Sequence, residues 1–139
     1  MELRVKLDEG AFLPERAHQT DGGADLFAPR DVHVPARGSA VVDTGVHVEV
    51  PHGYAGLMVS KSGLNVNHGI LSTGLVDCGY DGSVRVKLYN MTDFAVTLPR
   101  GSKISQLALV KVAYADVVQV DEIAAGPRGD NGFGSTGVF

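Results

Sequence analysis

Asp77 closes the apolar run Gly74-Leu75-Val76 and is followed by Tyr80 and the Asp81-Gly82 turn. A carboxylate at the dry end of a strand can accept a proton from water, the work of a general base. Beside glycine the same residue type also caps turns. Lys61-Ser62-Gly63 joins a cation to a small hydroxyl and a glycine where a helical turn could begin, a composition that turns backbone N–H groups toward an anion. Arg128, Ser135 and Thr136 repeat it among Gly129, Gly132, Gly134 and Gly137. Two such clusters suit a polyphosphate better than a single phosphate. Their plainer readings are a glycine turn with a solvated lysine, and a loose terminus. Asp25, in Gly22-Gly23-Ala24-Asp25-Leu26, is a turn residue or a carboxylate that reaches a hard cation through water.

The elements that must position these groups are strands. Leu3, Val5 and Leu7 alternate with polar residues, as do Val46, Val48 and Val50, and Val84, Val86 and Leu88 alternate with Ser83, Arg85 and Lys87. Period two puts alternate side chains on opposite faces of a pleated strand. Further β-rich stretches lie near 23–28, 54–60, 69–76, 94–98, 104–112 and 116–120, with Gly and Pro turns between them. The pattern predicts an all-β chain, a jelly-roll-like sandwich or barrel, with at most one short helix, near 62–68. Residues 1–125 read as that β domain. Residues 126–139, with five glycines in fourteen positions, read as a flexible glycine-rich C-terminal lid segment of the same domain.

Composition narrows the function. The 139 residues hold 44% hydrophobic and 20% charged residues and 18 glycines, one domain by length, with a core that can bury about two thirds of the chain surface. The expected folded surface is roughly 6,900 Å². The net charge of -4 argues against a nucleic-acid polymer as partner, because long polyanions require many phosphate neutralisations. No apolar run reaches the roughly 20 residues of a membrane span, and the start MELRVKLDEG has no signal-peptide pattern, so no membrane association is expected. One cysteine, Cys78, reads as a packed thiol and fits a cytoplasmic location. His18, His33, His47, His52 and His68 lack metal-ligand spacing and read as surface residues. No Walker glycine loop or Gly-x-Ser-x-Gly elbow occurs, which disfavours kinase, ATPase and serine-hydrolase chemistry.

Taken in order, the clusters resemble the five motifs of the trimeric dUTP diphosphatases, the dUTPases. The matching segments are Gly22-Gly23-Ala24-Asp25-Leu26, Pro51 to Gly56 through Lys61-Ser62-Gly63-Leu64, and Gly74-Leu75-Val76-Asp77 with Tyr80 and Gly82. They continue with Arg100 to Leu107 and end with Arg128-Gly129 and Gly132-Phe133-Gly134-Ser135-Thr136-Gly137. The resemblance implies a homotrimer whose active sites lie where subunits meet, hydrolysing dUTP to dUMP and pyrophosphate, which limits uracil incorporation into DNA and supplies dUMP for thymidylate synthesis. It implies Asp77 as the base for water attack on the α-phosphorus and Tyr80 against the deoxyribose, with main chain near Thr73 and Gly74 on the uracil edge. Lys61, Ser62, Gly63 and Gln106 would serve the phosphates. Arg128, Gly134, Ser135 and Thr136 would clasp the γ-phosphate while Phe133 stacks on the base. Mg²⁺ would be carried by the triphosphate, with Asp25 touching it only through water.

Ordering residues 128–137 costs on the order of 10–20 kcal/mol of backbone entropy, so the lid is expected to close on a full triphosphate and to be mobile without one. The chain departs from the family pattern at Lys61, Asn65, Ser102, Lys103, Ser105 and Asn131. Lys61 stands where arginine is common and exchanges a bidentate fork for a point charge. Two other readings are a dCTP deaminase of the same fold, which would need a glutamate base, and a dUTPase-like binding module whose nucleotide-controlled surface regulates another protein.

Overall fold

The computed structural model describes residues 1–138; Phe139, the last residue of the expected lid, lies outside the described residues. Nine strands and one helix follow in the order β1 (Arg4–Leu7), β2 (Ala24–Phe27), β3 (Val32–Val34), β4 (Ser39–Glu49), β5 (Tyr54–Val59), α1 (Ser62–His68), β6 (Ile70–Val76), β7 (Ser83–Asn90), β8 (Val96–Leu98) and β9 (Lys103–Lys111). Seven strands form one curled sheet in the order β1-β4-β7-β6-β5-β9-β2, and β3 and β8 form a ribbon that packs on β4 and β7. Every pairing is antiparallel, the architecture of a jelly roll.

Alternation builds the core. In β7, Val84, Val86, Leu88 and Asn90 point inward while Arg85, Lys87 and Tyr89 face out. Val42, Val46 and Val48 of β4 meet them, with Leu26, Val32, Val34, Ile70 and Ile104 completing the cluster. Asn90 is the polar exception. Its amide donates to the Val34 and Phe94 carbonyls, and its carbonyl accepts the Thr92 N–H, so burial leaves it satisfied.

Strand β4 is broken by a bulge. Asp43 stands opposite Arg85 but His47 stands opposite Ser83, so Thr44, Gly45 and Val46 bow out of the ladder. Gly45 has φ +67°, which a side chain there would strain. The buried Thr44 hydroxyl donates to the Val84 carbonyl at 2.6 Å and accepts the Val46 N–H at 3.2 Å, supplying bonds that the ladder loses.

The helix expected near 62–68 forms at Ser62–His68 and ends on Gly69, whose left-handed conformation turns the chain directly into β6. Three expectations are corrected. No strand forms at 116–120; Val117, Val118 and Val120 are exposed, because no strand of this chain lies beside that segment. Cys78 is exposed rather than packed, since β6 has ended and the thiol sits on the turn after Asp77. His47 is half-buried and hydrogen-bonded at both ring nitrogens, whereas the other four histidines are exposed. The accessible surface is 9634 Å², well above that expected for a compact chain of this mass, because residues 112–138 leave the sheet as an extended arm.

Candidate functional site

The hairpin between β6 and β7 carries Asp77 and Tyr80. Strand β6 pairs with β5 from Thr73 to Val76, but with β7 only from Ile70 to Ser72. Beyond Ser72 the hairpin therefore splays, and the β7-facing main-chain edge of Thr73 to Val76 is left outside the ladder. A cleft of about 210 Å³ opens there, lined by Met58, Leu75, Val76, Asp77, Tyr80, Val84 and Arg85. At its rim the Tyr80 N–H donates to the Asp77 carbonyl at 3.2 Å, and the Tyr80 hydroxyl donates to the Ser83 carbonyl at 2.9 Å. The Ser83 hydroxyl in turn donates to the Asp43 carboxylate. A Cβ at position 82 would lie 2.6 Å from the Tyr80 ring, so any residue but glycine there would displace the ring from this position. The Asp77 side chain is exposed at the mouth of this cleft.

A second cluster gathers around Asp25, which is 3% exposed. Lys61 Nζ donates to its Oδ1 at 2.5 Å and Lys103 Nζ to its Oδ2 at 2.8 Å. Burial opposes ionisation of this carboxyl, but the hydrogen bonds from Lys103 and Lys61 outweigh it and hold the group below the usual carboxylate range. The same bond raises Lys103. Local structure aims Lys61: Ser60 extends the β5–β6 contact by donating its hydroxyl to the Ser72 carbonyl and accepting the Ser72 N–H, which sets the chain just before Lys61. Asn65 N–H is bonded to the Lys61 carbonyl, so the Ser62 and Gly63 N–H groups stand at the open start of α1. Gln106 lies opposite both Asp25 and Val59 and donates to the Ser60 carbonyl at 3.0 Å.

Register relates the two clusters. Thr73, Val59, Gln106 and Asp25 form one row across β6, β5, β9 and β2. Three strand spacings put Asp25 about 14 Å from Thr73, and Asp77, four residues along β6, is about 13 Å from Thr73 in the perpendicular direction. The structure thus brings Lys61, Ser62, Gly63, Gln106 and Asp25 together, with Thr73 one strand away opposite Val59, and carries Gly74, then Asp77 and Tyr80, progressively farther along the hairpin, so that Asp77 and Tyr80 stand apart from the Asp25 cluster within one chain. The third expected group, Arg128, Phe133, Gly134, Ser135 and Thr136, lies on the exposed arm. There Arg128 donates to the Gly132 carbonyl and to the Ser135 hydroxyl, and the segment folds through turns of its own.

Lys103, Arg85 and Met58 are not among the expected site residues. Pairing the first and fourth motifs as neighbouring strands would have set Lys103 opposite Phe27, two residues from Asp25. Arg85 and Met58 enter only through the splay of the hairpin, which leaves no mark on local sequence. Among the described residues no group of three or more His, Cys, Asp or Glu side chains could hold a metal ion. Both Asp25 oxygens are engaged by ammonium groups, yet each keeps a lone pair that can accept from water; this donor set suits a cation that arrives already ligated.

A family model described as dUTPase matches residues 9–137. The chain is 43% identical to a deoxyuridine 5'-triphosphate nucleotidohydrolase of Thermobifida fusca, covering 99% of this chain and 78% of that protein. It is 40% identical to one of Debaryomyces hansenii, covering 97% and 87%. Among solved structures, the Staphylococcus bacteriophage 80alpha dUTPase with dUpNHpp superposes with a TM-score of 0.92 at 30% identity, covering 99% of each chain. A variant dUTPase of phage phi11 of S. aureus, described with a coordinated structural Mg(II) ion, superposes at 0.81 with 29% identity over 88% of this chain and 98% of that one. Variants of the 80alpha protein replace an aspartate and, three positions on, a tyrosine.

Proposed function

The chain belongs to the dUTPase family and hydrolyses dUTP to dUMP, and on that footing we propose that three copies assemble each catalytic site, with Asp77 as the base that activates water. The observation that carries this reading is the splayed β6–β7 hairpin. Its free main-chain edge at Thr73 and Gly74 offers alternating N–H and C=O groups, which match the acceptor-donor-acceptor edge of uracil. The Tyr80 ring, fixed through its hydroxyl and Gly82, packs on the deoxyribose and fills the space a 2′-hydroxyl would need. Asp77 follows at the cleft mouth, where it takes a proton from the water that attacks the α-phosphorus in line as pyrophosphate leaves. The aspartate–tyrosine spacing of three, at which variants of the phage protein were made, is that of Asp77 and Tyr80.

The phosphates need donors that Asp77's own chain does not bring near. A neighbouring copy supplies Lys61, the Ser62 and Gly63 N–H groups and Gln106, and a third supplies the arm, with Arg128, Gly134, Ser135 and Thr136 on the γ-phosphate and Phe133 stacked on the base. The excess surface of the isolated chain and the bare Val117, Val118, Val120 and Ile123 support an arm that lies on another subunit. In this division the expected body of residues 1–125 comprises the sheet through Lys111 and the start of the arm, 112–125, and residues 126–139 are the lid. Mg²⁺ is held by the triphosphate and reached by Asp25 only through water; when bound it neutralises charge on the phosphates. No described helix is long and apolar enough to cross a membrane, and an exposed lone Cys78 suits a reducing cytoplasm.

The test is pyrophosphate release from dUTP beside UTP, dCTP and dTTP, with the mass in solution measured on the same sample. Selective turnover of dUTP by a three-chain particle is expected. Ammonia from dCTP, or an active monomer, refutes the reading.

A further inference from the structure

Outside the residues given roles above, His47 is tied to the turn that carries Asp77 and Tyr80. His47, just past the β4 bulge, places Nδ1 2.8 Å from the Asp81 carbonyl and Nε2 3.0 Å from both Asp8 carboxylate oxygens. Both partners are pure acceptors. A neutral imidazole has a single N–H and would set a lone pair against one of them, so the geometry as it stands requires the doubly protonated ring. Asp81 ends the turn that begins at Asp77 and includes Gly79 at φ +91° and Tyr80. Asp8 is held from the other side, its N–H bonded to the Gly45 carbonyl of the bulge at 2.9 Å.

We propose that His47, as an imidazolium clamped between Asp8 and the Asp81 carbonyl, is a positioning residue that holds the Asp77–Tyr80 turn in its working shape and releases it when the ring loses a proton. The proposal rests on the reading of Asp77 and Tyr80 given above. The charged surroundings are mixed. Lys6 on β1 lies opposite His47, and Arg4 and Glu49 line the same groove; Asp43 on β4 and Arg85 on β7 flank the bulge. The Asp81 carbonyl first and the Asp8 carboxylate second raise the ring above its ordinary value, against Lys6. The clamp's stabilisation is therefore complete below pH about 6.5 and is lost as pH rises through the native value.

The test uses the full-length assembled enzyme. Nitrogen-15 NMR of the histidine rings follows His47 while kcat and KM for dUTP are measured between pH 5.5 and 9. Both ring nitrogens are expected to be protonated at low pH. The kcat is expected to fall about ten-fold in all, across a transition centred on the NMR midpoint, the scale of one hydrogen bond to a charged group. His47→Gln should lack that limb, and Asp8→Asn, an exposed change, should move the NMR and kinetic midpoints down together. A His47 that stays neutral across the range, or a limb that persists in His47→Gln, overturns the clamp. If Asp77→Asn is inactive in that case, the site reading survives; an active Asp77→Asn overturns the site and the clamp with it.

Discussion

Two aspartates, one on the edge strand β2 and one just past the end of the central strand β6, live in contrary conditions. Asp25 is buried and held by two ammonium groups, while Asp77 is exposed on a turn at the mouth of a cleft. A carboxylate with both oxygens engaged is a poor proton acceptor and a good scaffold. One open to water keeps its lone pairs for chemistry. The contrast teaches that hydrogen-bond satisfaction, not residue type, separates the two: one carboxylate is spent on two ammonium groups and the other is left open to water.

The sharpest way to break the contrast is Asp77→Asn. The amide keeps the shape but cannot take a proton, so kcat for dUTP should fall about 10³-fold, within the range general bases contribute, while the melting temperature stays unchanged. Single-turnover rates and a thermal melt on the same sample check both halves. A variant that loses stability but not rate would exchange the roles of the two aspartates.

Next in size is removal of the arm from Arg128 onward. Its described hydrogen bonds run within the segment, so the body should keep its melting temperature and assembly. Loss of the γ-phosphate clasp should lower kcat/KM about 10²-fold. Steady-state kinetics with sedimentation reads the outcome, and wild-type turnover refutes the lid.

These expectations show what the chain makes legible. Alternation in Val84, Val86 and Leu88 reveals β7, and Gly69 after a short polar stretch closes the helix expected near 62–68, because both signals are local. The 116–120 segment is rich in valine, yet pairs with nothing in its own chain; β propensity names a strand without supplying its partner. The Asp25–Lys103 pair is hidden because it joins residues distant in the chain through the β2–β9 register, and His47 because its partners lie on a loop and a turn. Motifs thus disclose which residue types do chemistry, and pairing decides which of them are already occupied.

Asp25→Asn probes the organising corner. Two ammonium groups would lose their shared counter-charge, but both are partly exposed and can turn to water, so the loss should be about 1–2 kcal/mol, with KM rising more than kcat falls. Acid gives the same answer without mutation. The native carboxyl lies below its ordinary 3.8, so its contribution is present above about pH 4 and disappears as pH falls through the native value. Denaturant melts of wild type and variant should converge once the pH has fallen below the native value; parallel curves would mean that Asp25 carries no such coupling.

The smallest expected effect comes from Lys61→Arg. A guanidinium can reach Asp25 with one N–H and keep others for a phosphate, whereas the lysine ammonium donates to Asp25 Oδ1 and must divide three donors from a single point. Because Lys103 retains the second carboxylate oxygen, the corner keeps its charge balance and stability should stay within about 0.5 kcal/mol. The gain in fork geometry should lower KM for dUTP by no more than about three-fold and leave kcat alone, since in its own chain the change lies beyond the far end of the neighbouring strand from Asp77. A shift in kcat instead of KM, read from full saturation curves, would place Lys61 beside the reacting phosphorus and make the organising corner part of the chemistry.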